Sequence, residues 1–229
     1  MSQIYKIEAA KAALVLIQDG MKIGLGSGST AEEFVKVLAP VVAGGLSLIG
    51  VPTSIRTGEL AESLGITIST LDEHPVLDLT VDGADEIDSQ MRLIKGGGAA
   101  HLREKIVANA SKQMAVIADH SKQVETLGLY PLPLEILPFG FASTKIAIEQ
   151  LCSERFGLKG DFALRLRDGT PVNTDNGNLV LDASFGRIPD PEGLAKELSQ
   201  IPGLVEHGLF IDMASIAYVA GPDGVTTLR

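Results

Sequence analysis

The chain has 229 residues, of which 45% are hydrophobic, so it can bury one large core or one main domain with a smaller subdomain. Its 29 acidic and 19 basic side chains give a formal net charge of −10, which disfavours binding to nucleic acid and to anionic membranes. A single cysteine excludes an internal disulfide and a thiolate-rich metal site.

The N-terminal segment and the lack of long apolar runs indicate a cytoplasmic protein. No stretch reaches the roughly 18 apolar residues of a membrane span. Lys6, Glu8 and Lys11 stand where a signal peptide would have its apolar core. Since the whole chain is acidic, an anionic ligand has to be captured locally, by helix N-termini, backbone amides and a few lysines.

The first half of the chain alternates between helical and strand patterns. Apolar residues at a spacing of three to four predict helices, and short apolar runs between glycines predict strands. The predicted helices are 7–17, 31–39, 55–64 and 99–110, and the predicted strands are 22–25, 46–51, 76–81 and 114–118. This alternation predicts an α/β fold with a Rossmann-like, mostly parallel sheet.

The pattern changes at about residue 129, where prolines 131, 133 and 138 interrupt it. A helix over 144–156 precedes two strands at 162–167 and 179–182, and another helix surrounds residues 194–201. This order predicts a smaller α+β subdomain with an antiparallel sheet, after which a strand at 215–220 returns to the main sheet. The expected domains are 1–128 and 129–206, with 207–229 rejoining the first.

The first candidate for chemistry is the glycine-rich segment 24–30, between a predicted strand and a predicted helix. Its glycines let backbone amides approach an anion, and Ser29 or Thr30 can cap the helix with Glu32 or Glu33 completing a capping box. The segment lacks the lysine of a Walker A loop and the spacing of a dinucleotide fingerprint. A plain turn and helix cap remains the alternative.

The second candidate is the acidic segment 82–88, which follows the predicted strand 76–81. Ligands of open α/β sheets bind beyond the carboxyl ends of strands, where Asp82 and Asp85 would project. Two close carboxylates can relay protons to and from sugar hydroxyls, since like charges raise one pKa. A solvated acidic turn and a cation loop are the alternatives.

The third candidate is the segment that begins at Lys95 and leads into the helix carrying Glu104. Three successive glycines at 96–98 are costly to order, so close approach of the backbone to a ligand explains them better than a turn does. Lys95 can stabilise oxyanion charge, and Glu104 can reach back over the loop as a base. Without this context, a glutamate in an Arg-Glu-Lys sequence is usually a solvated surface residue.

The remaining reactive side chains carry no recognisable motif. The four histidines show neither metal-ligand spacing nor a catalytic triad pattern, so we interpret them as structural or solvated. Cys152 lies in a predicted helix and is interpreted as a buried structural thiol. Lys6 and Lys122 can each contact an anion, although an isolated lysine is by default solvated.

Segments 24–30, 82–88 and 95–105 together resemble, in content, order and spacing, the three hallmark segments of the type A ribose-5-phosphate isomerases. The resemblance continues through 121–123, 131–135, 174–178, 201–203 and 208–210, and so covers nearly the whole chain. Two departures are Ser27, where threonine is common, and the Ala100-His101-Leu102 run, which replaces an apolar-threonine pairing.

The resemblance implies interconversion of D-ribose 5-phosphate and D-ribulose 5-phosphate in the pentose phosphate pathway, without metal or organic cofactor. It implies a Rossmann-like domain with a ferredoxin-like subdomain, assembled as a homodimer or homotetramer. Glu104 matches the proton acceptor, with Asp82, Asp85 and Lys95 as further catalytic residues. The substrate-binding positions that it implies are Ser27, Gly28, Ser29, Thr30, Asp82, Gly83, Ala84, Asp85, Lys95, Gly96, Gly97, Gly98 and Lys122. The residue pattern adds Lys6 as a further candidate.

Two alternatives belong to other functional classes or reactions. A sugar-phosphate-sensing effector domain can share this fold and retain the phosphate loop without catalysis. An amino-sugar-phosphate deaminase or a coenzyme A transferase can use a similar scaffold. The expected mechanism for the isomerase is proton transfer by Glu104 through an enediol(ate), with the phosphate held by Ser29, Thr30 and nearby lysines.

Overall fold

The structure is a computed structural model that describes residues 3–229. Its α-helices are α1 Gln3–Ala13, α2 Ser29–Ala43, α3 Ile55–Ser63, α4 His101–Asn109, α5 Phe141–Phe156 and α6 Pro191–Leu198. Its strands are β1 Lys22–Leu25, β2 Ile49–Pro52, β3 Leu79–Gly83, β4 Glu86–Ile87, β5 Leu93–Ile94, β6 Met114–Asp119, β7 Leu132–Ile136, β8 Asp161–Leu164, β9 Leu166–Arg167, β10 Thr170–Pro171, β11 Leu179–Ser184, β12 Leu204–His207, β13 Leu209–Phe210, β14 Ile216–Gly221 and β15 Gly224–Leu228. None of the helices within these residues is long and apolar enough to cross a membrane.

The described residues form two compact units, each assembled from separate chain segments. The first comprises the segment up to Ala84, Arg103–Gln123 and Asp212–Arg229, and the second comprises Asp85–Leu102 and Val124–Ile211. The predicted domain boundaries at residues 128 and 206 stay a prediction, because compact packing does not by itself define a domain that folds independently.

The first unit is built on a six-stranded sheet in the order β15-β14-β6-β3-β1-β2. All neighbours pair in parallel except the hairpin of β14 and β15. Every residue of β6 is buried, as expected of a central parallel strand covered on both faces. The predicted α/β fold with a mostly parallel sheet is confirmed.

The second unit contains a four-stranded antiparallel sheet in the order β12-β7-β11-β8. Along the chain its elements run β7-α5-β8-β11-α6-β12, which is the β-α-β-β-α-β order of a ferredoxin-like fold. A separate sheet pairs β13 with β5 and β5 with β4. The antiparallel α+β part predicted for the second half is therefore present.

Strand β7 lies where the sequence predicts only a proline-interrupted stretch. Proline is rare in a central strand because it has no N–H to donate. Here the carbonyl of Pro133 accepts a 2.8 Å hydrogen bond from the amide of Gly208, just beyond the end of β12. An N–H at residue 133 would face the carbonyl of Gly208, which instead accepts a 2.9 Å hydrogen bond from the amide of Lys95, so that acceptor is satisfied and the strand continues.

Cys152 lies in α5 within the core of the second unit, with 1% of its surface exposed. Burial raises the pKa of its thiol to about 12, which keeps it protonated at neutral pH. The prediction of a buried structural thiol is confirmed.

Candidate active site

The turn between β1 and α2 packs directly against β3 in the first unit. The amide of Gly26 donates to the carbonyl of Val81 at 2.9 Å, which extends the pairing of the two strands. A Cβ at Gly26 would lie 2.1 Å from Oδ1 of Asp82 and 2.6 Å from its Cα. Only glycine fits this position, so the glycine-rich segment does bring the backbone close to a carboxylate.

The capping prediction for α2 is wrong. The N-cap residue is Gly28, with φ of 92°, and no side chain caps the helix. The glutamates expected to complete a capping box make ion pairs instead: Glu32 with Arg56 at 2.8 Å and Glu33 with Lys36 at 2.7 Å. Because Gly28 takes a backbone conformation that favours glycine, Ser29 becomes the first helical residue rather than the cap.

Ser27 lies in a cluster of hydroxyl groups that the sequence analysis missed. Its Oγ lies 2.7 Å from Oγ1 of Thr53 and 2.7 Å from Oγ of Ser54. Thr57 joins the cluster and donates its hydroxyl to the carbonyl of Gly26 at 3.0 Å. Thr53 and Ser54 directly follow β2, at the carboxyl edge of the parallel sheet, and that position was the available signal.

Lys6 and Ser29, both predicted to bind substrate, are in contact. Nζ of Lys6, on α1, donates to Oγ of Ser29 at 2.7 Å. Ser29 opens α2, whose first amides and dipole favour an anion. A positive charge and a helix N-terminus thus meet at one place, next to the exposed Gly28 and the half-buried Thr30.

Asp82 is fully buried within β3, not beyond its end as the sequence analysis placed it. Its Oδ1 accepts hydrogen bonds from the amides of Ser27, at 3.1 Å, and Gly83, at 2.7 Å. Amide donors stabilise the ionised carboxylate. A Cβ on Gly83 would lie 3.7 Å from Cβ of Thr30, and the adjacent Ala84 is half-buried.

The acidic segment 82–88 is not a solvated turn. Glu86 and Asp88 are buried like Asp82. Within the second unit, Asp88 accepts a 2.6 Å hydrogen bond from Nε of Arg92, and Glu86 accepts one of 2.7 Å from the amide of Gly128. These hydrogen bonds compensate for the cost of burying the acidic side chains. Among residues 3–229 no group of three or more histidine, cysteine, aspartate or glutamate side chains is arranged to hold a metal ion.

Glu104 lies in the first turn of α4 and is 3% exposed. It is therefore not the solvated surface residue that an Arg-Glu-Lys sequence usually carries. A buried carboxylate can act as a base when the environment tunes its pKa toward neutrality.

Lys122 ends the 3-10 helix His120–Lys122, which follows β6 at the same carboxyl edge. Asp119 caps this helix, accepting from the amide and the hydroxyl of Ser121 at 3.1 and 2.6 Å. The cap fixes the path of the backbone that carries Lys122.

In the second unit, Asp85 contacts the loop that follows Lys95. Its Oδ2 accepts a 2.8 Å hydrogen bond from the amide of Gly97. A Cβ at Gly97 would lie 2.7 Å from both Oδ1 of Asp85 and the hydroxyl of Tyr130, so any larger residue there would displace one or both of these side chains. Burial raises the pKa of the Tyr130 phenol, and the charge of Asp85 raises it further.

Lys95 is 2% exposed, and its Nζ lies 5.4 Å from the ring centroid of Phe210, within range of a cation–π interaction. Gly96 has φ of 112° and a Cβ there would lie 2.8 Å from Nδ1 of His101. Gly98 is exposed. Arg165, which no sequence pattern singled out, donates to the carbonyls of Gly96 and Gly97 at 2.7 and 3.1 Å.

The predicted residues thus fall into two groups, one in each compact unit. The first unit holds Lys6, Ser27, Gly28, Ser29, Thr30, Asp82, Gly83, Ala84, Glu104 and Lys122, and the second holds Asp85, Lys95, Gly96, Gly97 and Gly98. The first group combines a helix start that is suited to an anion with buried carboxylates. The second combines a glycine loop with a buried ammonium group and a carboxylate.

Residues 49–224 match the family model described as "Ribose 5-phosphate isomerase A (phosphoriboisomerase A)". The chain belongs to the ribose-5-phosphate isomerase A family. A curated ribose-5-phosphate isomerase A from Agrobacterium fabrum is 60% identical over 98% of this chain and 96% of its own length. One from Sinorhizobium medicae is 58% identical with the same coverage.

Solved structures of ribose 5-phosphate isomerases share the fold of the whole chain. The enzyme from Plasmodium falciparum superposes with a TM-score of 0.94 at 35% identity, covering 100% of this chain and 99% of the other. A D-ribose-5-phosphate isomerase in complex with phospho-erythronic acid gives a TM-score of 0.91 at 40% identity, with full coverage of both chains. These matches confirm the resemblance noted in the sequence.

Proposed function

We propose that this chain interconverts D-ribose 5-phosphate and D-ribulose 5-phosphate, in the non-oxidative branch of the pentose phosphate pathway. One observation carries the proposal: relatives named for this activity match 98% of the chain at 58 to 60% identity. Identity at this level over nearly the full length supports the same activity. The N-terminus of α2 at Ser29 is suited to bind a phosphate group, and the buried carboxylates are suited to bind hydroxyl groups. Both features fit an anionic, polyhydroxylated substrate.

The proposed base is Glu104. It takes the proton from C2 of the open-chain aldose, and the electron pair moves to O1 to give an enediolate. The same carboxyl group returns the proton to C1, while the proton of the C2 hydroxyl passes to O1, which leaves a hydroxyl on C1 and the carbonyl group of the ketose at C2. The low exposure of Glu104 supports this role, since a buried carboxylate is held in a defined position away from bulk water.

Charge on the sugar oxygens is assigned to the second group of residues. The ammonium group of Lys95 and the amides of Gly96, Gly97 and Gly98 are suited to stabilise an enediolate oxygen. Asp82 and Asp85 are assigned to the hydroxyl groups, to ring opening and to proton transfer between O1 and O2. The amide bonds that Asp82 accepts hold its carboxylate in one orientation.

The phosphate is assigned to the start of α2. Ser29 and Thr30, with Ser27, Gly28, Lys6 and Lys122, supply remote binding energy that fixes the reacting carbons. The contact between Lys6 and Ser29 supports this assignment because it concentrates positive charge at the helix N-terminus. Gly83 and Ala84 complete the substrate-binding set. The reaction requires neither metal nor organic cofactor, and we place the protein in the cytoplasm as a homodimer or homotetramer.

The assay is formation of ribulose 5-phosphate from D-ribose 5-phosphate by dialysed protein, with and without a chelator. Turnover that is equal in both conditions supports the proposal. Binding of ribose 5-phosphate without turnover would instead indicate a sensing domain. Turnover that is lost with chelator and restored by a divalent metal would contradict the metal-free mechanism. Size-exclusion chromatography with light scattering tests the oligomeric state.

A further inference from the structure

Arg165 holds two successive carbonyl groups of the glycine loop 96–98. Its Nη1 donates to Gly96 O at 2.7 Å and to Gly97 O at 3.1 Å. The carbonyl of Gly96 also accepts a 2.9 Å hydrogen bond from the amide of Ala99. The same oxygen therefore binds both the loop backbone and the guanidinium group of Arg165. Arg165 lies far from the loop in sequence, directly after β8.

Asp182 on β11 fixes the guanidinium in turn. Nε of Arg165 donates to Oδ2 at 2.8 Å and Nη2 donates to Oδ1 at 2.5 Å, a bidentate pair with only 14% of the arginine side chain exposed. Burial opposes the charged form, but the hydrogen bonds and charge of Asp182 outweigh it and raise the pKa of Arg165 above its ordinary value. The planar fork therefore stays charged and in one orientation.

Arg165 thereby fixes the orientation of two peptide groups, the one between residues 96 and 97 and the one between residues 97 and 98. Within residues 3–229 every peptide bond is trans, so each carbonyl points opposite to the following amide. The amide of Gly97 is taken by Asp85 at 2.8 Å. The amide of Gly98, in the plane whose carbonyl Arg165 binds, donates to no atom of the described part of the chain. Gly98 is exposed, and a Cβ there would meet nothing within 4 Å.

We propose that Arg165 is a positioning residue, which aims the Gly98 amide at an oxygen of the bound sugar phosphate by holding the Gly97 carbonyl behind it. This inference rests on the proposed isomerase function for the identity of the ligand. A pre-oriented amide stabilises developing oxyanion charge without reorganising at the moment of reaction. Glycine loops are intrinsically mobile, so the guanidinium supplies the rigidity that three glycines lack.

The test compares Arg165→Met with Arg167→Met, a matched control two residues along the chain. Arg167 is exposed and forms no ion pair within residues 3–229. Loss of loop orientation lowers kcat by about 10- to 100-fold in R165M. Inhibition by inorganic phosphate, which does not depend on the loop, stays within about twofold of wild type, and R167M behaves as wild type in both measurements. A folded R165M with unchanged kcat would overturn the proposal, as would an equal loss of phosphate binding.

A second variant and a second measurement guard against misfolding. R165M leaves Asp182 without its partner, so the double variant R165M/D182N removes both charges and is expected to show the same loss of kcat. Nuclear magnetic resonance of 15N-glycine-labelled protein reports the order of the Gly98 amide independently of activity. Its order parameter falls in both variants and not in R167M; an unchanged value contradicts the inference. If wild-type protein fails to isomerise ribose 5-phosphate while the Gly98 amide still loosens in R165M, the proposed function fails and the loop role stands.

Discussion

Gly26 packs directly against Asp82, a predicted catalytic residue. Its missing side chain leaves room for Asp82, and its carbonyl accepts the hydroxyl of Thr57. Ordering a glycine on folding costs more conformational entropy than ordering another residue. Glycine is nevertheless needed at position 26, because the carboxylate of Asp82 occupies the space that a methyl group would need.

Gly26→Ala should therefore displace Asp82. Overpacking of this kind costs about 1 to 3 kcal/mol of folding free energy, and isomerase activity should fall because the carboxylate moves. Urea denaturation and the ribulose 5-phosphate assay measure the two effects. Gly44→Ala is the control, since a Cβ there would lie no closer than 3.3 Å to any other atom and φ is negative. Equal stability of both variants would show that the turn adapts.

At the scale of single residues, the sequence indicated which chemistry to expect but not which side chains are buried. The family-like segments singled out Glu104 and Asp82, whose low exposure depends on neighbours that are distant in sequence. Arg165 had no signal because an arginine in a short strand region is usually solvated. Its hydrogen bonds to the glycine loop 96–98 and to Asp182 on β11 form only in the folded chain.

The helices show that local capping patterns are informative only where the backbone agrees. In α6, Asp190 caps the helix by accepting the amide of Gly193 at 2.9 Å, and Pro191 follows at the first helical position. In α2, the serine and threonine that resemble a cap are already helical. A positive φ at Gly28 decides the difference, and the sequence alone did not show it.

Asp190→Ala should destabilise the protein by about 0.5 to 2 kcal/mol, because the N-terminal amides of α6 lose their acceptor. Asp161→Ala, at an exposed position that caps no helix of the described chain, is the comparison and should change stability by less than about 0.5 kcal/mol. Thermal unfolding followed by circular dichroism gives both values. A neutral Asp190→Ala would mean that water replaces the cap without cost.

Short apolar strands bounded by glycine or polar residues were predicted well, whereas the first helix, predicted at 7–17, lies at Gln3–Ala13. Strand β1 and strand β6 match the predicted runs to within a residue, since each is a short apolar segment between glycine or polar residues. Strand β7 was missed because proline is normally excluded from a central strand. The amide of Lys95 binds the carbonyl of Gly208 opposite Pro133, a contact that the local sequence does not show. The two-residue strands β4, β5 and β13 are too short to carry a pattern.

For the whole molecule, composition gives the net charge but not which acidic and basic side chains form ion pairs. Asp78, in front of β3, accepts Nζ of Lys112 at 2.8 Å and the amide of Lys22 at 2.9 Å. These hydrogen bonds lower the pKa of Asp78 below its ordinary value of 3.8. Because the folded pKa is lowered, the stabilisation is present above the unfolded pKa and is lost as pH falls through the folded value.

Asp78→Asn should accordingly be less stable than wild type at pH 7, and the difference should shrink as the pH falls below about 4. Urea denaturation at about five pH values between pH 3 and pH 7 measures how the difference in unfolding free energy between the variant and wild type shrinks. Asp223→Asn serves as the control, since Asp223 is exposed and pairs with no cation within residues 3–229. A difference that stays constant with pH would assign the effect to packing rather than to charge.

The most direct measurement is the turnover of ribose 5-phosphate by Glu104→Gln, beside the exposed-site control Glu62→Gln. Glutamine keeps the size of the side chain but cannot accept the C2 proton, so kcat should fall by about 100-fold or more in folded protein. Inhibition by inorganic phosphate should remain within about threefold of wild type, because the residues proposed to bind the phosphate are untouched. Wild-type turnover in Glu104→Gln would contradict the assignment of the base, and with it the proposed mechanism.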